Sequence, residues 1–265
     1  MRTLISCIEH FDLRGCYIAA HDWGGYVHTC HSRDACTEIP FSSCVALCTI
    51  PNLPTGTCAG LFLLNSFFPP RPSDISLFYY LLYLIWFFST GIFGGYLPES
   101  MVMRYMCPEA TRDIIAGYCA PYTAGIHSKV SVGRFAHIVP GIPDVLLKLR
   151  EGTAWRIAEG LLGPENFTNV NAQAFLAKRN VEVRQWWASG GSQHENVTPR
   201  VSVAFGRDDP LLKDFKNLLD ETLRLKVSGQ RSSGTWISDA GHYPVEEKPE
   251  AVARLIQQFM EKDEV

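Results

Sequence analysis

CYIAAHDWGG, residues 16–25, is a short apolar run that ends on a carboxylate between small neighbours. Gly15 reads as a turn into the run, and Cys16 to Ala20 read as a buried strand. After the strand, Ala20, Asp22 and Gly24 give the spacing small-x-nucleophile-x-small, with Gly25 adding further room. Such spacing suits a strained strand-to-helix turn, where small neighbours let the middle side chain project. Here that side chain is Asp22. An aspartate at such an elbow can displace a leaving group from sp3 carbon and form an alkyl ester that water then cleaves. The alternative is a helix N-cap, with the glycine pair as the helix entry.

The pattern on either side of the run predicts an α/β chain. Residues 4–14 carry helical spacing, whereas 31–58 contain Pro40, Pro51 and Pro54 with no sustained period and read as a loop-like insertion. Ala59 to Asn65 (AGLFLLN) reads as a second buried strand, stopped by Pro69, Pro70 and Pro72. Residues 99–187 are mainly helical, in pieces broken near Pro121, Pro140 and Pro164. Arg200 to Phe205 alternates as a strand, Leu211 to Lys226 reads as a helix, Thr235 to Ser238 as a strand, and Ala251 to Lys262 as a closing amphipathic helix. Strands alternating with helices imply a mostly parallel sheet, with the long helical stretch inserted as a lid and ligands at the carboxyl ends of the strands. The expected division is a first core part over 1–66, with an atypical cysteine-rich insert at about 28–58, a helical cap and insertion over 67–185, and a second core part over 186–265.

Two further loops could carry chemistry, and both follow predicted strands. GRDDPLL at 206–212 offers a carboxylate that could meet an imidazole, or a helix N-cap. DAGHYP at 239–244 offers His242. Nucleophile, acid and base in that chain order is the order of α/β-hydrolase triads.

With these motifs the chain resembles the α/β-hydrolases that use an aspartate nucleophile, specifically the haloalkane dehalogenases and the related epoxide hydrolases. HDWGG at 21–25, GRDDPLL at 206–212 and AGHYPVEE at 240–247 match the elbow, acid and histidine motifs, and 117–140 look like the dehalogenases' stretch after the lid helices. The resemblance implies Asp22 as nucleophile, His242 as the base that activates the hydrolytic water, and Asp209, in preference to Asp208, as the acid that orients His242. It also implies Trp23 and Trp86 as the indole N–H donors that hold the departing halide. No metal or organic cofactor is required; the implied partners are water and a small apolar halogenated or epoxide substrate. In the epoxide hydrolases lid tyrosines protonate the ring oxygen instead, and Tyr79, Tyr80, Tyr83, Tyr96 and Tyr105 are available.

The chain departs from the family ahead of the elbow. Only about 20 residues precede Asp22, where family members carry four strands, and no HG-x-P motif occurs to complete the oxyanion hole. The expected core is therefore incomplete at its N-terminus, as in a truncated relative. A third reading follows, an inactive remnant that is membrane-associated through residues 75–94.

Composition narrows the other classes. Of 265 residues, 46% are hydrophobic and 19% charged, ordinary for a globular chain that can bury a core. A net charge of −3 makes a nucleic-acid partner unexpected. The opening MRTLISCIEHFDLRGC has no signal-peptide core, which favours a cytoplasmic chain. Residues 75–94 hold no charged side chain and meet the length rule for a membrane span, but their aromatic composition and flanks with little Lys or Arg fit the lining of a ligand pocket better. Nine cysteines without a secretory signal read as reduced thiols. The spacing of Cys30, Cys36, Cys44, Cys48 and Cys58 is irregular and unlike paired zinc ligands.

Overall fold

The structure, a computed structural model, describes residues 2–22, 45–68, 81–82, 85, 99–123, 181–189, 199–223 and 235–261. Among them run α1 (Arg2–His10), β1 (Cys16–Asp22), α2 (Val45–Thr49), β2 (Cys58–Ser66), α3 (Glu99–Met106) and α4 (Arg112–Cys119). A helix over 181–188, α5, follows. The chain then forms β3 (Arg200–Gly206), α6 (Phe215–Thr222), β4 (Thr235–Ile237), α7 (Pro244–Glu247) and α8 (Pro249–Glu261).

The described strands form one sheet in the order β1-β2-β3-β4, and every pairing is parallel. Parallel strands are buried on both faces, so they read as near-continuous apolar runs. In β2 the burial is unbroken from Gly60 to Ser66, and side-chain alternation divides it between two cores. Leu61 and Leu63 enter one cluster with Ala46, Leu47, Val203, Phe205 and Leu219, so α2 and α6 cover that face. Phe62 and Leu64 enter the other with Val252 and Phe259, so α8 covers the opposite face. Complete burial of each such side chain stabilises the fold by about 1.5–3 kcal/mol. Gly60 is required by space: a Cβ there would lie 2.7 Å from the Tyr17 ring and 2.9 Å from that of Phe259.

The loop-like reading of 31–58 needs correction over its second half. Residues Val45–Thr49 are helical, a 3-10 turn spans Ile50–Asn52, and Ala46, Leu47 and Ile50 are buried in the main core. A helix of five residues is too short to display a period, and Pro51 ends it, so the pattern gives no helical signal. Residues 28–44 of the insert, with Cys30, Cys36 and Cys44, lie outside the described residues. α5 crosses the boundary drawn at residue 185: Val183 and Trp187 sit in the main core, and Trp187 Nε1 donates to the Leu47 carbonyl at 3.0 Å. Of residues 75–94 only Leu81, Leu82 and Ile85 are described, so a span there lies outside the described residues; among those residues no helix is long and apolar enough to cross a membrane.

Candidate active site

All four strands point their carboxyl ends at one place, and each delivers a polar side chain there. β1 ends on Asp22, β2 carries Asn65 next to its last residue, Asp209 follows β3 by three residues, and His242 follows β4 by five. Asp22 adopts φ +51 and Asn65 φ +41. That left-handed region is costly for L-residues, and Asp and Asn enter it most readily after glycine. Both residues sit at the carboxyl end of a parallel strand, where this backbone departs from the extended conformation. Ser66 Oγ donates to the Asp22 carbonyl at 2.8 Å and ties the end of β1 to the neighbouring strand.

His242 stands between the two carboxylates. Its Nδ1 lies 3.1 Å from Asp209 Oδ2 and its Nε2 3.8 Å from Asp22 Oδ1. The first is a hydrogen bond; the second is too long to be one. Asp22 therefore faces the imidazole without being locked to it. Side-chain exposure falls from 22% at Asp22 to 2% at His242 and to 0% at Asp209, so Asp22 is the most exposed of the three. Asp209 Oδ1 accepts from the Leu211 and Leu212 N–H groups at 2.8 and 3.0 Å.

Burial by itself favours the neutral carboxyl of Asp209, but the His242 hydrogen bond and charge, with the two backbone donors, outweigh it and hold Asp209 below its usual value. Burial likewise pulls His242 down, and the Asp209 hydrogen bond with the charges of Asp22, Asp209 and Glu247 carries it above its usual value. Asp208, the alternative in the same motif, is exposed. Its backbone N–H donates to the Ala240 carbonyl at 2.9 Å.

The histidine loop is held from several sides. The His242 N–H donates to the Met106 carbonyl at 2.7 Å, which joins the loop to the end of α3. Glu247 Oε2 accepts from the Gly241 N–H at 2.6 Å and its Oε1 from the Glu109 N–H at 3.3 Å. His21 Nε2 donates to the His242 carbonyl at 2.7 Å. The His21 ring also stands 5.4 Å from that of His242 and 5.3 Å from that of Tyr243. Burial, reinforced by the His242 charge, lowers the His21 pKa to about 4.

A histidine held low in the folded state binds its proton more readily when unfolded. Its contribution to stability is complete above the unfolded value of about 6.5 and is lost as pH falls toward about 4. Across that window wild type should lose about 3 kcal/mol more than His21→Gln, which has a side-chain amide to donate and no proton to gain. Urea unfolding at a series of pH values measures this; identical pH slopes in the two chains would contradict it.

Asn65 and His21 are the members of this site that the motifs did not single out. A polar residue closing the apolar run AGLFLLN is the available signal for Asn65. Trp23 and Trp86 lie outside the described residues. Among those residues no group of three or more His, Cys, Asp or Glu is placed to hold a metal ion.

A parallel sheet of this order, covered by helices on both faces and carrying its polar groups at the strand ends, is the core of an α/β-hydrolase fold. Solved structures similar to it include the haloalkane dehalogenase DatA from Agrobacterium tumefaciens C58, at a TM-score of 0.59 and 12% identity over 98% of this chain and 71% of that one. A single-residue variant of that dehalogenase is similar at 0.56 and 16% identity, over 97% and 71%. An α/β-hydrolase fold protein from Burkholderia ambifaria is similar at 0.50 and 13%, over 96% and 70%. No family model and no curated protein matches the sequence.

Proposed function

We propose that the chain is a hydrolase of the haloalkane dehalogenase type, acting through an ester on Asp22. The observation that carries this reading is an accessible aspartate at φ +51 on a strand end, facing the Nε2 of a buried histidine whose Nδ1 is bonded to a second aspartate.

In the first step a carboxylate oxygen of Asp22 attacks the halogen-bearing carbon. A carbon–oxygen bond forms, the carbon–halogen bond breaks, and halide leaves with the bonding pair. Trp23 and Trp86 are the proposed halide donors, and Asp22 needs no base because it is already charged. In the second step His242 Nε2 takes a proton from water as the water oxygen attacks the ester carbonyl carbon. The tetrahedral adduct then collapses, the alkoxide leaves with the proton held by His242, and the Asp22 carboxyl, which keeps the water oxygen, loses the remaining water proton to solvent and is again a carboxylate.

Charge connects the steps. The Asp22 carboxylate is one of the groups that raise the proton affinity of His242. Ester formation removes that negative charge, so the imidazole gives up its proton more easily just when a neutral base is needed. Asp209 keeps its partner oriented and balances the imidazolium that forms in the second step.

Purified chain incubated with short chloro- and bromoalkanes should release halide and form the matching alcohol, and an Asp22→Asn chain should release none. Diol formation from epoxides without halide release would transfer the same triad to epoxide opening. A folded chain that forms neither product would overturn the reading.

A further inference from the structure

Asn65 makes more contacts to the triad than the hydrolysis scheme assigns it. It is completely buried. Its Nδ2 lies 2.7 Å from Asp209 Oδ2, 3.0 Å from the Gly241 carbonyl and 3.3 Å from the His242 carbonyl. Its Oδ1 accepts from the Gly206 N–H at 2.8 Å. The amide can sit only one way round, since a flip would set its oxygen against three oxygens and its N–H groups against another N–H. One side chain on β2 thereby joins the β3 terminus, the acid and the histidine loop.

We propose that Asn65 is a positioning residue that sets the proton affinity of His242 by donating to the same Asp209 oxygen that the imidazole meets. Asp209 Oδ2 is shared between Asn65 Nδ2 at 2.7 Å and His242 Nδ1 at 3.1 Å. A donor on that oxygen draws charge away from the imidazole. With the amide removed, the carboxylate concentrates on His242, and the imidazolium is favoured to a higher pH. Asp209 stays ionised in its absence, because the Leu211 and Leu212 N–H groups remain on Oδ1. An aspartate at 65 would not do the same work, for an ionised carboxylate there would face Asp209 and two carbonyls.

The other groups that bear on His242 are Asp22 and His21 on β1, Glu247 on α7, and Tyr243 beside it. All of them remain when Asn65 is changed. This role rests on the dehalogenase reading for its kinetic consequence but not for the titration itself.

Asn65→Gly removes the amide while keeping a residue that accepts φ +41 without strain. In the full chain without substrate, NMR titration of the His242 imidazole should show its pKa raised by about one unit relative to wild type. Where the wild type turns over haloalkane, kcat of the variant should fall about tenfold at neutral pH and recover as pH is raised, because only the neutral imidazole acts as base. Leu63→Ala, a buried change on the same strand, is the control. It should lower stability without moving the titration, as a merely structural role would. Should Asn65→Gly fail to fold, Asn65→Ala supplies the same readout. An unmoved His242 titration in a folded variant, or an equal shift in Leu63→Ala, would overturn the proposal. Absence of turnover in wild type would instead overturn the dehalogenase reading and leave the titration result standing.

Discussion

His242→Gln is expected to release about one equivalent of halide per chain and then stop, with steady-state turnover reduced about 10⁴-fold or more. Displacement at carbon uses the charge already on Asp22, so it proceeds without a base. Hydrolysis of the resulting ester needs a group that takes a proton from water, and Gln cannot. The substitution suits this test because a Gln amide can still donate to Asp209, which is fully buried and would otherwise lose a partner. In Asp22→Asn, by contrast, even the single equivalent should be missing, and Asn tolerates the left-handed backbone at that position. Rapid-mixing measurement of halide separates the cases. Repeated turnover by His242→Gln would show that some other group activates the water.

Gly206→Ala is expected to destabilise the fold by about 3 kcal/mol or more, lowering the midpoint of thermal unfolding by about 10 °C. A Cβ at Gly206 would overlap the Gly241 carbonyl oxygen and lie 2.5 Å from that of Ala240. Both obstacles are backbone, so no side-chain rotation relieves them. The Arg207 and Asp208 N–H groups also bond across to the Ile237 and Ala240 carbonyls at 2.9 Å, which joins the loop of Asp209 to that of His242. The same close approach that excludes a methyl group keeps Asp209 within reach of His242, and any surviving folded Gly206→Ala chain should lose activity as well as stability. Calorimetry measures the first effect, and an unchanged midpoint would contradict it.

The parts of this molecule visible in its sequence are those with strong local signals. Apolar runs ending in Asp22 and Asn65 and an alternating run ending in Gly206 announce strands, and β1, β2 and β3 begin and end within two residues of their predicted limits. Burial on both faces holds for β2, whereas in β1, expected as a buried strand, Ala20 alone is buried and Ala19 is exposed because that strand has one described neighbour. The chain order of Asp22, Asp209 and His242 is equally legible, since each falls in a loop directly after a strand, and the structure places them within 3.8 Å of one another in turn. α2 was hidden because five residues beside a proline show no period. Asn65 was hidden for a different reason: nothing along the chain reveals that one buried amide at the end of a strand will meet a strand end and a loop, 141 and 176 residues away. Such a contact exists only through the register of β2 against β3, where Leu64 pairs with Ala204. Contacts of this kind are properties of the assembled sheet.

The covalent ester on Asp22 is the claim from which the rest follows, and it can be read by mass. The His242→Gln chain, treated with a short bromoalkane and digested, should yield a peptide containing Asp22 that is heavier by the alkyl group, and the wild-type peptide should carry none at steady state. Halide released with the alkyl group on another residue, or on none, would contradict Asp22 as the nucleophile.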